Sequence, residues 1–446
     1  MKIEIKPFIT IICIALSLVC IFKVLDIFTI GIDSAYQPEE GFYHERKNSL
    51  DAVFLGASSV SADWKSSLAW GDYGIAVWSY GVPSTNCRSL PFWIKEVDKT
   101  QPNALLIINL PSFRGTSVSD NNIFRSTTYM RFSANKMNMI HSLANDAGYT
   151  GFDQLQFYFP IIRFHSRWSE LTNWDFYRSV SGNKNTWRVF TNIHDASSDF
   201  YVTDQEAELS NSQTIFLEEF LDFLDNCGHE VLFINTPEAY GNGKRSYERL
   251  NRMGKIVQEH GFAYLDMFNF IDEIGLQPDT DFNDLYHNNV HGAIKYTDYL
   301  AQYLVDNYGF TDKRGQPGWE SWDESVTLYT EEIAPYSLPL ERKHAPRDYE
   351  LQAPVLNKVK VKDQTLTLSW KESPNAEGYD IYRKSTIPGE KNWAYLTSTD
   401  TETFQYVDSD LKPETKYTYT VVPKIYADGI EIYGNFNFNG VAGTTK

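Results

Sequence analysis

The chain is short of positive charge and short of cysteine. Its 446 residues carry 40 lysines and arginines against 58 aspartates and glutamates, a formal charge of −18. A nucleic-acid partner is therefore not expected, because attraction to phosphates needs a basic face. There are only four cysteines, Cys13, Cys20, Cys87 and Cys227, too few and too scattered for a disulfide framework. Two lie in an N-terminal apolar run, and Cys87 and Cys227 pair only if folding brings them together. No C-x-x-C or His-rich spacing occurs, so no zinc site, other metal or cofactor is expected. What the chain does have is hydrophobic substance, 42% of residues with 15% aromatic. That supports packed cores and argues against disorder, and the length fits two or three domains.

The longest uncharged run is Phe8 to Phe22, flanked by Lys2, Lys6 and Lys23. With Lys23 snorkelling, the span extends to about the 20 residues a bilayer requires. No A-x-A-like cleavage site follows it, and Val19 before Cys20 is not the small residue that a lipoprotein signal needs. Residues 1–32 are therefore expected to be an uncleaved single-pass membrane anchor. The folded remainder is expected to lie outside the cytoplasm.

From residue 33 to 310 the expected architecture is α/β. Apolar runs at Ala52–Leu55, Ile75–Trp78, Leu105–Ile108, Val231–Ile234 and Phe262–Asp266 are strand-length. Helical periodicity separates them, at Val60–Trp70, Thr214–Asn226 and Ser246–His260. Such alternation predicts a parallel sheet covered on both faces by helices. The first four strands each end in Gly, Asn, Ser or Pro, so one sheet edge is built from turn chemistry. The alternation lapses over residues 113–211, an insertion rich in Asn, Ser, Phe, Trp and Arg and far longer than an ordinary connection. Within it, Arg163 and Arg167 are interleaved with aromatics and could meet an anion or a sugar. The competing reading is a helical cap whose aromatics form its own small core.

Residues 311–352 read as a Pro- and charge-rich linker that packs in places. Residues 353–446 change to period-two alternation, as in Leu366-Thr367-Leu368-Ser369-Trp370 and Tyr417-Thr418-Tyr419-Thr420-Val421. Turns recur about every ten residues, the pattern of an all-β sandwich. Ala353-Pro354, Trp370, Gly378-Tyr379-Ile381-Tyr382-Arg383 and Leu411 to Tyr417 resemble a fibronectin type III domain. The resemblance makes Tyr417 the corner tyrosine and the domain a spacer or binding module.

Chemistry concentrates at two places. Gly56-Ala57-Ser58-Ser59 follows the first strand, on a strand-to-helix turn where an open α/β sheet presents reactive groups. Asp284-Leu285-Tyr286-His287 follows the last strand and leads into an amphipathic helix ending near Tyr308. A serine, a histidine and an aspartate brought to one sheet edge supply nucleophile, base and orienting acid. Ser58 is preferred to Ser59 because it holds the G-x-S position. His291, one helical turn beyond His287, lacks a third ligand and reads as a surface or supporting histidine. His165 is the one other histidine worth testing.

These motifs resemble the SGNH, or GDSL-like, hydrolase superfamily, in the membrane-anchored bacterial branch of teichoic-acid D-alanylation and polysaccharide O-acetylation proteins. Gly56-Ala57-Ser58 matches the first block, with Ala57 in place of the usual Asp. Asp284 and His287 match the last, continued by Asn289 and Gly292. Gly81 matches the oxyanion glycine of the second block. The third block, G-x-N-D, is not matched, and Asn109 is the stand-in. The resemblance implies a flavodoxin-like sheet and a Ser58–His287–Asp284 triad. It also implies ester hydrolysis or O-acyl transfer, acetyl first, on an acylated carbohydrate or cell-envelope polymer. The rival reading is a non-catalytic surface protein that binds glycan.

Overall fold

The computed structural model describes residues 36–171, 200–239, 244–278, 280–337, 351–387, 393–427 and most of 430–446, with scattered positions elsewhere. The expected anchor lies largely outside these residues; among the described residues no helix is long and apolar enough to cross a membrane. The chain divides into two compact units, Met1–Tyr329 and Thr330–Lys446.

The first unit is built on five strands: β1 (Ala52–Gly56), β2 (Val77–Gly81), β3 (Leu105–Asn109), β4 (Val231–Asn235) and β5 (Ala263–Asp266). They form one sheet of order β2-β1-β3-β4-β5, parallel at every pairing. Strands β1 to β4 are buried along their whole length. That is why they read as continuous apolar runs rather than alternating ones. Successive side chains enter opposite layers. Val53, Leu55, Leu106, Ile108 and Phe233 pack on one face, with Trp93, Leu143 and Leu217. Ala52, Phe54, Leu105, Ile107 and Leu232 pack on the other, with Tyr296, Leu300 and Leu304. Each fully buried side chain of this size contributes about 1.5–3 kcal/mol.

The helices covering the sheet are α1 (Tyr36–His44), α2 (Ser58–Asp63), α3 (Ser66–Tyr73), α4 (Leu90–Thr100), α5 (Asp120–Thr127), α6 (Ala134–Asp146), α7 (Asn211–Leu224), α8 (Lys244–His260), α9 (Val290–Tyr308) and α10 (Glu320–Ser337), single turns aside. The helix expected over Val60–Trp70 is two helices. The chain opens at Trp64 (φ −90, ψ 130), and the Lys65 N–H bonds Thr297 Oγ1 of α9 at 3.0 Å instead of a helical carbonyl. Helix α7 starts three residues earlier than its apolar pattern, because Ser210 and Gln213 form a reciprocal capping box. Strand β2 runs later than its apolar run, since Ser79 is fully buried and pairs with Phe54.

The described part of the insertion is a helical cap whose Ile123, Met139, Ile140 and Leu143 join the sheet's own core. Part of the expected linker also folds onto this unit. Trp319 and Trp322 are buried against Trp70, with ring centroids 5.0 and 5.4 Å away. Trp70 Nε1 donates to Asp323 Oδ1 at 2.9 Å. Residues 338–350 lie outside the described residues. The four cysteines are free thiols.

The second unit is antiparallel throughout. Strands β6 (Lys360–Lys362), β7 (Thr365–Ser369) and β10 (Gln405–Asp408) form one sheet; β8 (Gly378–Ser385), β9 (Ala394–Thr399), β11 (Lys416–Ala427), β12 (Ile430–Tyr433) and β13 (Val441–Thr444) form the other. Strand β7 alternates between buried and half-buried residues. Its inward Leu366 and Leu368 pack with Trp370, Tyr379, Ile381, Leu411, Tyr417 and Val421. Tyr417 reaches back five residues, its hydroxyl accepting the Lys412 N–H at 3.0 Å, as a corner tyrosine does.

Candidate active site

In the order β2-β1-β3-β4-β5 the chain leaves β1 toward one edge and returns in β3 on its other side. The crevice beyond the carboxyl ends of β1 and β3 is the switch point where such sheets bind ligands. Ser58 lies two residues past the end of β1, and Asn109 is the last residue of β3. Gly56 permits their closeness: a Cβ on it would come 2.7 Å from Asn109 Cβ and Val60 Cγ2.

Asp284 and His287 arrive on the loop between β5 and α9. Asp284 Oδ1 accepts the backbone N–H groups of Tyr286 and His287 at 2.8 and 3.1 Å, so the carboxylate shapes its own loop. Asn289 then caps α9, its side-chain oxygen accepting the N–H groups of His291 and Gly292 at 2.9 and 3.2 Å. Between these fixed points, His287 Nδ1 lies 2.9 Å from both Asp284 oxygens. His287 Nε2 lies 2.8 Å from Ser58 Oγ. An ionised Asp284 requires the proton on Nδ1, which leaves Nε2 to accept from the Ser58 hydroxyl.

The electrostatics agree with that tautomer. Burial works against ionising Asp284, but hydrogen bonds from the His287 ring and the Tyr286 N–H outweigh it and hold the carboxyl at about 2. Burial likewise pulls His287 down. The hydrogen bond and charge of Asp284, with Asp63 and Glu238 adding to them, carry it above its ordinary value.

Ser58 and His287 open into a cavity of about 390 Å³, whose walls include Ser59, Asn109, Arg114, Glu238 and Tyr286. Ser59 faces Asn109 Oδ1 at 3.2 Å, so of the two serines it is Ser58 that meets His287. Asn109 is held by two further groups: its oxygen accepts Ser112 Oγ at 3.2 Å, and its amide donates to Thr236 Oγ1 at 2.8 Å.

Gly81 is not among the lining residues; its carbonyl accepts the Ser61 hydroxyl, and a Cβ on it would come 2.6 Å from Ser61 N. Its lack of a side chain serves helix–strand packing at the end of β2. Arg163 and Arg167 are elsewhere. Arg163 is paired with Asp120 at 2.6 Å and lies over the Phe124 ring, and Arg167 is paired with Asp175. His165 is exposed and its ring meets the Ile162 carbonyl at 3.2 Å. His291 is buried on the first turn of α9.

Four residues at the site have no sequence signature. Arg114 Nη1 donates to both Glu238 oxygens, at 2.5 and 2.6 Å, across 124 positions of sequence. Burial raises the Glu238 carboxyl while Arg114 opposes the rise. Asp63, 1% exposed, accepts the Asn288 N–H at 2.9 Å. From the insertion, Phe190 places its ring 5.9 Å from that of His287 and accepts the Val290 N–H at 2.8 Å. Among the described residues, Asp222, Asp225 and His260 have metal-ligating spacing, but all three are away from the cavity lining.

No protein-family model matches the chain, and no curated protein matches it either. Solved structures similar to part of it include fibronectin type III domains. One titled FN3tt is 27% identical, covering 22% of this chain and 95% of that one, with a TM-score of 0.18. A Fn3-like protein from Clostridium thermocellum is 25% identical over 20% of this chain and 88% of its own, with a TM-score of 0.16. An FN3 domain of human collagen XX is 21% identical over 23% and 98%, with a TM-score of 0.18.

Proposed function

We propose that the α/β unit is a serine-dependent esterase or O-acyltransferase of the SGNH, or GDSL-like, kind, acting on an acylated carbohydrate or cell-envelope polymer. The observation that carries this reading is the continuous relay Asp284–His287–Ser58, with contacts of 2.9 and 2.8 Å opening into a cavity. Ser58 Oγ attacks the ester carbonyl while His287 Nε2 takes its proton. The imidazolium is stabilised by Asp284, then gives the proton to the departing alcohol. The acyl group remains on Ser58 until water or a sugar hydroxyl, deprotonated by the same His287, removes it. Water gives the free acid, and a sugar gives a new ester.

The oxyanion needs donors, and Gly81 is not among the residues lining the cavity. We assign the role to the Ser58 backbone N–H and the second N–H of the Asn109 amide, whose first is spent on Thr236. The membrane anchor at residues 1–32, the extracytoplasmic placement of the unit and a fibronectin-type spacer or binding role for residues 353–446 belong to the same proposal.

The test is hydrolysis of an activated acetyl ester by the full chain, with a serine-directed phosphonate as inhibitor. Turnover lost on phosphonylation of Ser58 supports the reading. A chain that neither turns over the ester nor reacts with the phosphonate overturns it. The unmatched third block favours one alternative, a glycan-binding surface protein without turnover, and that second outcome is its signature.

A further inference from the structure

We infer that Asp63 is a positioning residue of the site: its carboxyl group ties the end of the Ser58 helix to the backbone beside His287. This rests on the serine-hydrolase reading of the cavity, but not on the substrate assigned to it.

The geometry is specific. Helix α2 begins at Ser58 and ends at Asp63, so one short rigid element carries the nucleophile at one end and this carboxylate at the other. Asp63 Oδ1 accepts the N–H of Asn288, the residue after His287, at 2.9 Å. The Asp63 carbonyl accepts Thr297 Oγ1 of α9 at 3.2 Å, and Thr297 Oγ1 in turn accepts the Lys65 N–H at 3.0 Å. The end of α2 is thus fastened to the His287 loop and to α9. A shift of one element relative to the other would have to break these bonds, and a 1 Å error in such a pair costs about a hundredfold in rate.

The carboxyl group is unusual for its place. Asp63 Oδ2 is buried with no partner among the described residues. Lys65 Nζ donates to the Ser61 carbonyl at 2.9 Å, not to this oxygen. Burial pushes the Asp63 carboxyl up to about 8, against the pull of the Asn288 N–H, His287 and Lys65, with Glu238 pushing the same way as burial. Asp284 makes the direct hydrogen bond to the His287 ring, and Asp63 acts through the backbone of the loop.

The experiment is NMR titration of the His287 ring in the full chain, native, Asp63→Ala and Asp63→Asn. Alanine removes the acceptor of the Asn288 N–H, so the His287 titration should move toward its ordinary value as the Asp284 contact loosens, and kcat/KM should fall about a hundredfold. Asparagine keeps an acceptor oxygen for that N–H and should restore both. A folded Asp63→Ala protein with a native His287 titration overturns the inference, as does an Asp63→Asn protein that restores nothing. If Asp63→Ala does not fold, Asp63→Asn decides: a native His287 titration supports the inference and a loosened one overturns it. The titration is readable in a protein that hydrolyses nothing, so this inference and the proposed activity fail separately.

Discussion

Ser58 Oγ and His287 Nε2 are 2.8 Å apart across 229 positions of sequence. That contact joins the first strand's end to the entry of the last helix of the sheet, and its consequences are testable.

Ser58→Ala should lower turnover of an activated acetyl ester by about a thousandfold or more. Its melting temperature should be almost unchanged, since the hydroxyl's partner is the half-buried His287. Ser59→Ala removes only the contact to Asn109 and should cost far less. Kinetics of the two variants side by side check the assignment; a larger loss from Ser59→Ala would reassign the nucleophile.

Asp284→Asn should reduce kcat less than Ser58→Ala does, by about a hundredfold to ten-thousandfold, because the side chain orients and stabilises rather than reacts. The pH profile gives a second reading. His287 must be neutral to accept a proton, so native kcat/KM falls as pH drops below its raised pKa. Without Asp284 that limb should move to lower pH. Stability follows the same pair. The Asp284 contribution is present above its ordinary value of about 3.9 and is lost as pH falls through about 2. The His287 contribution is full below about 6.5 and is lost as pH rises through its raised value. The variant should therefore melt lower than the native chain chiefly between about pH 4 and 6.5, which thermal scans across pH can measure.

What the sequence disclosed, it disclosed through burial patterns and short motifs. Strands β1, β3 and β4 are buried on both faces, so each announces itself as an apolar run. The Asp284–His287 pair lies within one loop and was visible as a three-residue spacing. The Arg114–Glu238 pair joins two loops 124 residues apart, and no local pattern marks it. Asp63 reads as an ordinary surface acid on a helix, and only the fold reveals that it is buried. The break between α2 and α3 was hidden for the same reason: Thr297, which takes the Lys65 N–H, is 232 positions away. Gly81 was ambiguous in the sequence, because a glycine at a strand end fits an oxyanion site and a close helix contact such as that with Ser61 equally well.

Glu238→Gln should leave the Arg114 guanidinium facing a neutral partner in the cavity wall. Glu238 is 5% exposed at its side chain and Arg114 27%, and breaking such a buried pair from one side costs about 3 kcal/mol. The loss should appear as a lower denaturant midpoint. Replacing both residues, Arg114→Met with Glu238→Gln, should restore part of the stability, and a double-mutant cycle measures the coupling.

A chain ended between residues 338 and 350 should turn over the activated acetyl ester as the full chain does. It retains α10, and with it Trp319 and Trp322 against Trp70. A chain ended at Gly309 loses both tryptophans and strips cover from Trp70, which is fully buried. It should aggregate or melt many degrees lower, since removing one buried tryptophan alone costs about 3–5 kcal/mol. Activity and melting of the two truncations, compared directly, check the boundary.

Gly292→Ala should damage catalysis from outside the cavity. Gly292 lies in the first turn of α9, and a methyl group there would collide with the Asp281 carbonyl and come 2.9 Å from Asn288 Oδ1. The Asp281 carbonyl is backbone and already accepts the Asn289 N–H at 2.9 Å. It can yield only by moving the loop that carries His287, and the Asn289 cap on the helix would be disturbed with it. Neither change alters a reacting group, so the chemistry of Ser58, His287 and Asp284 is intact while their alignment is not. We expect kcat/KM to fall about a hundredfold, with a lower melting temperature and a His287 titration closer to its ordinary value as the Asp284 contact loosens. Gly254→Ala offers a control, since its methyl would meet the Tyr264 ring on α8 and β5 instead. It should lose stability without moving the His287 titration. A Gly292→Ala protein with native turnover and a native titration would show that the loop accommodates the methyl, and that the glycine was not what fixed His287 in place.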